Sequence, residues 1–549
     1  MSNKKIIISG LISLLASGAS AQQKPVAADT TIKASTIEIT QIYRPQVKQA
    51  VKETYSPSLP AADQAPANFT YVVPVQSVNY TYKPLPLQAL AIGEDTINTG
   101  YRHYIKAGLG NRRTLYLDAG LGNLRAKNFS SNIHLGILSQ KGELAYQKQT
   151  IAALAAEGLY SKDGFNALVG LEATHNNFFQ YGYDETLYPS KTATRQTLSG
   201  GAFSLRLSKE NKANGLTPEA DVKISLYTGN NITNENTGAL GLSLTKKLPE
   251  DDWILKAGVE GVSTHLNSEL YSVSNSYASL RLGAQYDDGK FSLRAYLLPT
   301  IGQNSNTFLL HDIEAALHFD KAQTNIGAGL KGSLTQNTYR QLFLTNPYIS
   351  QFPSVQTHSN EVYGFIEKGL GHHITLNGKL SFWRYENLAT FLNQPAPDFE
   401  KMQVYYVPKV SAISTQLGLR YQVSNTISFG AQLVLFNYYN HNYFPANMKR
   451  RVWHTPNTRL NGDFMWNPFP ELSLSAYGAY VGSSYALDSA QNEVKLKGFV
   501  DLGFGAEYLA MKKLSFFLNF NNLLNNHYQR WLGYQAYGIN IYGGVRLKF

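Results

Sequence analysis

Cysteine is absent from the 549-residue chain. That removes disulfides, thiolate nucleophiles, cysteine metal sites and a lipid-modified cysteine after a signal sequence. No apolar run reaches the roughly 20 residues that a membrane-spanning helix requires. Charged residues are sparse, at 16% of the chain, yet the net charge is +11. The basic residues stand singly in alternating stretches and form no stripe, which argues against a nucleic-acid partner. They suit a polar interior and contacts with anionic lipid headgroups instead. Catalytic patterns are missing too: there is no G-x-S-x-G elbow and no H-E-x-x-H helix, and the His372-His373 pair falls in a short turn. We expect no enzyme activity, no cofactor and no metal centre.

What is plentiful is Tyr, with 36 copies, and Gly, with 44. An aromatic content of 12% is too high for a disordered chain. A slightly negative mean hydropathy is too polar for a bundle of membrane helices. Strands that alternate apolar and polar residues satisfy both limits. In the last run Tyr537, Ile539, Ile541, Val545, Leu547 and Phe549 share one parity, and Asn540, Tyr542, Gly544, Arg546 and Lys548 the other. Read as one strand, 493–509 places Val494, Leu496, Val500, Leu502, Phe504 and Tyr508 opposite Lys495, Lys497, Asp501 and Glu507. A charge on the lipid side near mid-membrane costs about 2–4 kcal/mol, so the charged parity must face a lumen. The pattern predicts an all-β transmembrane antiparallel barrel.

The chain divides into three parts. Residues 1–21 read as a secretory signal peptide, with Lys4 and Lys5, an apolar Ile6–Leu15 run and Ala19-Ser20-Ala21 before a cleavage point at Gln22. Residues 22–100 are Pro-, Ala- and Gln-rich and read as a periplasmic segment. Residues 101–549 read as the barrel, with about twenty-two alternating runs, an even number within the bacterial range. Long connections around 179–196, 339–359, 386–401, 439–456, 483–492 and 522–534 all fall at one end. Short ones at 161–164, 287–289, 369–372, 423–424 and 467–470 fall at the other, with 209–218 longer than expected. Long outer loops and short inner turns are the habit of outer-membrane barrels.

The end of the chain resembles a known family. Gly544, Leu547 and Phe549 look like the C-terminal signal of bacterial outer-membrane barrels, which their assembly machinery reads. Phe520–Gly538 is similar to the last extracellular loop of TonB-dependent receptors. Ser35–Thr40 resembles the TonB box, an alternative to an ordinary short strand, and implies that Ile37, Glu38 and Ile39 pair with TonB by strand addition. The family's globular plug is not recognisable in 22–100, where a reduced plug is the most that the length allows. The resemblance implies a Gram-negative outer-membrane transporter or receptor passing a substrate through the barrel. A non-transporting scaffold or anchor of an outer-membrane complex, and a passive porin, are the alternatives.

Candidate ligand contacts come from the outer loops: Tyr438, Tyr439, Arg450, Arg451, Trp453, Arg530 and Trp531. Aromatic faces stack on sugars or ring systems, and Arg binds carboxylate or phosphate. The competing reading of the same residues is an aromatic girdle, with Arg and Lys meeting membrane lipid and lipopolysaccharide phosphates.

Overall fold

The structure is a computed structural model and describes residues 103–183, 190–211, 214–248, 252–423, 426–439 and 451–549. The expected signal peptide, the 22–100 segment with Ile37, Glu38 and Ile39, and Arg450 lie outside the described residues.

A single sheet of 22 strands runs antiparallel throughout, each strand beside its neighbours in chain order. It closes where strand Asn540–Lys548 bonds both to Leu514–Asn521 and to the first strand, His103–Gly110. At that seam Gly108 lies opposite Gly544 and Lys106 opposite Arg546. Only glycine fits at 544, because a Cβ there would lie 1.9 Å from the Ala107 carbonyl oxygen. Closure leaves no row of unpaired backbone groups, which is the condition for a sheet to stand in hydrocarbon.

The period of two then decides what faces out. On the last strand Val545, Leu547 and the following Phe549 are exposed, while Asn540, Tyr542 and Arg546 are buried. The division runs round the sheet: Leu171, Leu226, Val259, Val362 and Phe516 stand outward, and Leu109 and Leu309 are 70% and 65% exposed. In water such a wall would forfeit about 25 cal/mol for every Å² of apolar surface left wet. A bilayer removes that penalty, so the outward face is a membrane face. Among the described residues no helix is long and apolar enough to cross a membrane, and the strands do the crossing.

Among the described residues the long connections lie at one end, which we call outer. The inner turns are tight for local reasons. Asp163 and Gly164 both have positive φ, 49° and 77°, as a two-residue hairpin turn requires. In the next such turn the Asp288 carboxylate accepts from the Lys290 and Phe291 amides at 2.8 and 2.7 Å. Those amide donors hold its pKa below the usual carboxylate range.

Four boundaries differ from the sequence reading. The connection read as 209–218, long for an inner turn, is shorter than those bounds, because the next strand begins at Leu216 and an Asn211–Leu216 bridge tightens the turn. Expected strand 493–509 is two elements: Glu493–Leu496 pairs with Ser484–Leu487 in an outer hairpin, and the wall resumes at Phe499. Lys495 and Lys497 therefore lie outside the wall, and only Asp501 and Glu507 of that charged set belong to it. Period two carries across Gly498 without a break, so alternation alone joins the two pieces. Strand Ile374–Asn393 runs eight residues beyond the expected end at 385, since Leu388–Asn393 keep pairing with Met402–Val407 above the rim. Finally, the last strand starts at Asn540, after Gly538 turns the chain at φ 68°, so Tyr537 and Ile539 precede the wall.

Candidate functional site

Two features of the interior carry chemistry: a charged inner wall and a packed cap over the outer mouth. On the wall, inward side chains of nearby strands bring opposite charges together. Arg294 reaches Asp312 at 3.2 Å and Glu314 at 3.4 Å, and the Tyr363 hydroxyl donates to Glu314 at 2.6 Å. Next to them Lys379 lies 2.6 Å from Glu361 and 4.0 Å over the Tyr363 ring. Near the seam Glu507 takes both Lys106 at 3.4 Å and Arg546 at 3.3 Å. Paired charges of this kind lower the desolvation penalty that each would carry alone.

The cap is built from segments far apart in sequence. Its centre is Tyr348 stacked on Tyr534 with ring centroids 3.5 Å apart, and Tyr181 meets Tyr534 edge-on at 5.1 Å. Around them Leu198, Leu266, Phe343, Ile349, Met402 and Tyr537 are buried to 2% exposure or less. The segment 336–356, which carries the short helix Tyr339–Thr345, is tied to distant strands. Thr338 starts the helix by accepting from the Gln341 amide at 3.2 Å. Glu235 accepts from the amides of Tyr339 and Arg340, and the Arg340 guanidinium pairs with Glu172 and lies 4.8 Å from the Tyr227 ring. Asn231 donates to the Tyr339 hydroxyl at 3.2 Å and to the Ile349 carbonyl at 2.8 Å. On the other side Ser350 N–H donates to the Met402 carbonyl at 2.7 Å.

A second anchor holds the 522–539 segment. His454 Nδ1–H donates to the Phe391 carbonyl at 2.9 Å, and the Leu532 amide donates to His454 Nε2 at 3.3 Å. Both nitrogens are thus engaged only in the neutral tautomer. Burial, helped by the nearby Arg530 charge and opposed by the bond to Phe391, pushes the imidazole down to about 4. Asn393 adds a bond from its amide to the Leu532 carbonyl at 3.0 Å, and Lys191 pairs with Glu400 at 2.7 Å.

The ligand contacts expected from sequence fall into two groups. Trp453 and Trp531 are 1% and 3% exposed and serve as packing: Trp453 sits with Leu392, Val407, Val410 and Leu487, and Trp531 meets Phe391 edge-on at 5.1 Å. Tyr438, Tyr439, Arg451 and Arg530 are only partly buried. Arg451 is paired with Glu493 at 2.7 Å and lies 3.7 Å over the Tyr485 ring, while Arg530 lies 5.0 Å from Trp531. The structure gathers Arg451 and Trp453 near one packed cluster, and Arg530 and Trp531 near His454. Sequence reasoning missed Tyr348, Tyr534, Glu235 and Arg340. Its one available signal was the aromatic density of 336–356 and 528–537.

No protein-family model matches the sequence, and no curated protein does. Solved structures do match in shape. The FrpB iron transporter from Neisseria meningitidis superposes with a TM-score of 0.61 over 81% of each chain, at 12% identity. The ferric enterobactin receptor PfeA from Pseudomonas aeruginosa gives 0.59 over 81% of this chain and 80% of its own, at 12% identity. The siderophore receptor PirA from Acinetobacter baumannii gives 0.59 with the same coverage, at 9% identity. The chain, a closed 22-stranded barrel, accordingly shares the fold of these solved iron and siderophore receptors.

Proposed function

We propose that this protein is an outer-membrane transporter or receptor of the TonB-dependent type. The observation that carries the reading is the closed barrel of 22 strands with an apolar outer wall and a charged inner one. Barrels of this size in outer membranes are transporters with an obstructed lumen, whereas porins use roughly 16–18 strands. The names of the structural neighbours make ferric chelates the first cargo to test. In this reading residues 22–100 act as a reduced plug, and Ile37, Glu38 and Ile39 offer the strand that TonB pairs with. Tyr438 and Tyr439, at the outer end of strand Ile427–Tyr439 and not in a loop, and the loop residues Arg450, Arg451 and Arg530 are the groups left to meet cargo while the cap is closed, and Trp453 and Trp531 join them only if it opens. Gly544, Leu547 and Phe549 present the seam and outward face to the assembly machinery.

The cap favours gating over passive flow. Each fully buried aromatic or aliphatic side chain stabilises closure by about 1.5–3 kcal/mol. A mouth held by this many does not open by thermal fluctuation alone. The same fact gives the scaffold reading its support, since a permanently sealed barrel would serve as an anchor. Planar-bilayer conductance separates these readings. The intact mature protein should be silent, and removal of residues 22–100 together with loosening of the cap should open it. A conducting intact barrel would make it a porin. Uptake of ferric chelates that survives deletion of residues 35–40 would sink the TonB coupling.

A further inference from the structure

The outward face of strands Thr357–Leu370 and Ile374–Asn393 changes character in ordered steps toward the outer rim. Successive cross-strand pairs on that face are Val362 with Phe382, Asn360 with Arg384, and His358 with Glu386. Along a strand these pairs are about 7 Å apart. Val362 and Phe382 are exposed apolar residues, at 51% and 47%. Arg384 is exposed and has no ion-pair partner among the described residues. Above it lies a pocket of about 520 Å³ lined by Asn304, Asn306, Phe308, His358, Glu386 and Asn387 among others.

The pocket exists because one hairpin leans over its neighbour. Strands Thr307–Phe319 and Thr324–Thr335 stop pairing at Asp312 and Lys331, although both continue toward the rim. The outer tip of the hairpin formed by Phe291–Ile301 and Thr307–Phe319 bends across, so that Phe308 meets His358 with ring centroids 4.8 Å apart. Gln356 fixes this arrangement, accepting from Gln303 N–H at 2.8 Å and donating to Asn275 at 2.7 Å. Asn304 and Asn387 stand at positive φ, 57° and 56°, the latter at a skip in the ladder with the next strand. The side chains of Asn304 and Asn306 have no hydrogen-bond partner among the described residues.

We propose that this rim site binds a membrane glycolipid, with acyl chains on the Val362–Phe382 wall, an anionic group on Arg384 and saccharide hydroxyls in the pocket. Amides and a carboxylate beside a partly exposed ring are the groups that recognise hydroxyl-rich rings. A lone exposed guanidinium one step above an apolar wall recognises an anion held at headgroup depth. The order apolar, cationic, polar matches the order of parts in an acylated, phosphorylated saccharide standing in a bilayer. A free sugar would use the pocket and leave the wall and Arg384 idle. The inference requires the barrel to sit in a membrane but not that it transports.

Native mass spectrometry of the full-length mature protein in detergent tests it with three probes. These are an acylated, phosphorylated glucosamine disaccharide, phosphatidylglycerol, and the same disaccharide after removal of its acyl chains. The barrel should retain the glycolipid with roughly tenfold preference over either other probe, and Arg384→Gln and Asn306→Ala should each weaken retention by roughly fivefold to tenfold. Both residues are exposed, so unchanged heat-modifiable mobility on gels will show that the variants fold. Equal retention of phosphatidylglycerol, or variants that bind like the parent, would overturn the site. Equal retention of the deacylated disaccharide would overturn its assignment to a membrane lipid.

Discussion

The wall and the cap use the same stock of aromatic and aliphatic residues in opposite ways. In the wall the apolar side chains point away from the protein, and the backbone ladder holds the strands together. In the cap they point at one another, and side chains to backbone carbonyls and amides do the fastening. The wall therefore depends on its solvent, and the cap on its own packing. Changes in one should leave the other standing.

The sharpest way to separate them is Tyr348→Ala. Losing that stacked ring should loosen the cap by about 3–5 kcal/mol. Limited proteolysis should then cut at Arg340 and Lys401 far faster, while the heat-modifiable band of the folded barrel persists; loss of that band would show that cap and wall fold as one unit. The converse variant, Leu242→Arg, puts a charge on the outward wall at mid-strand and should cost about 2–4 kcal/mol of barrel stability in lipid. Its effect should show as a lower urea midpoint in vesicles, with little change in detergent.

Acid offers a reversible probe of the same contrast. Closure holds His454 near 4 against an ordinary value of about 6.5, so the open state binds the proton more readily. Its contribution to closure is complete above about pH 6.5, falls as the pH drops, and levels out below about 4. By pH 5.5 the cap should be weaker by about 1.4 kcal/mol. Protease sensitivity of the cap between pH 7.5 and about 4.5 reads this. His454→Gln should flatten the dependence, and a slope that survives it would place the titration elsewhere. The smallest effect is Thr338→Ala. Loss of the bond to the Gln341 amide should cost about 1 kcal/mol and speed amide exchange in the helix Tyr339–Thr345 alone.

This contrast also explains what could be read from the chain. The wall is local information: Arg546 between Val545 and Leu547 already says which side faces lipid, and the alternation of long and short connections says which end is outer. Strand number followed from such signals. The reading failed where a local rule had no stop mark, as at Gly498, or where pairing went on above the membrane, as at Leu388–Asn393. The cap is non-local. Tyr348 and Tyr534 meet only after the barrel has brought their loops together, and no period links them. Trp453 and Trp531 looked like ligand contacts because aromatic loop residues have the same composition whether they face a ligand or each other. Arg384 and Phe308 gained their setting from a hairpin that leans, which alternation does not encode.

The seam has a consequence for how the molecule is made. Lys106 and Glu507, partners across it, are 401 residues apart, and the first strand gains its second neighbour only when strand Asn540–Lys548 arrives. Contacts between such distant parts form slowly, because the whole intervening chain must be ordered first. An unclosed sheet would carry two free edges, each a row of unsatisfied amides and carbonyls that hydrocarbon does not tolerate. Closure is thus a single late event that tests every strand between, and a chain with any one of them misregistered fails to bring Gly544 against Ala107. The keystone doubles as a proofreading step.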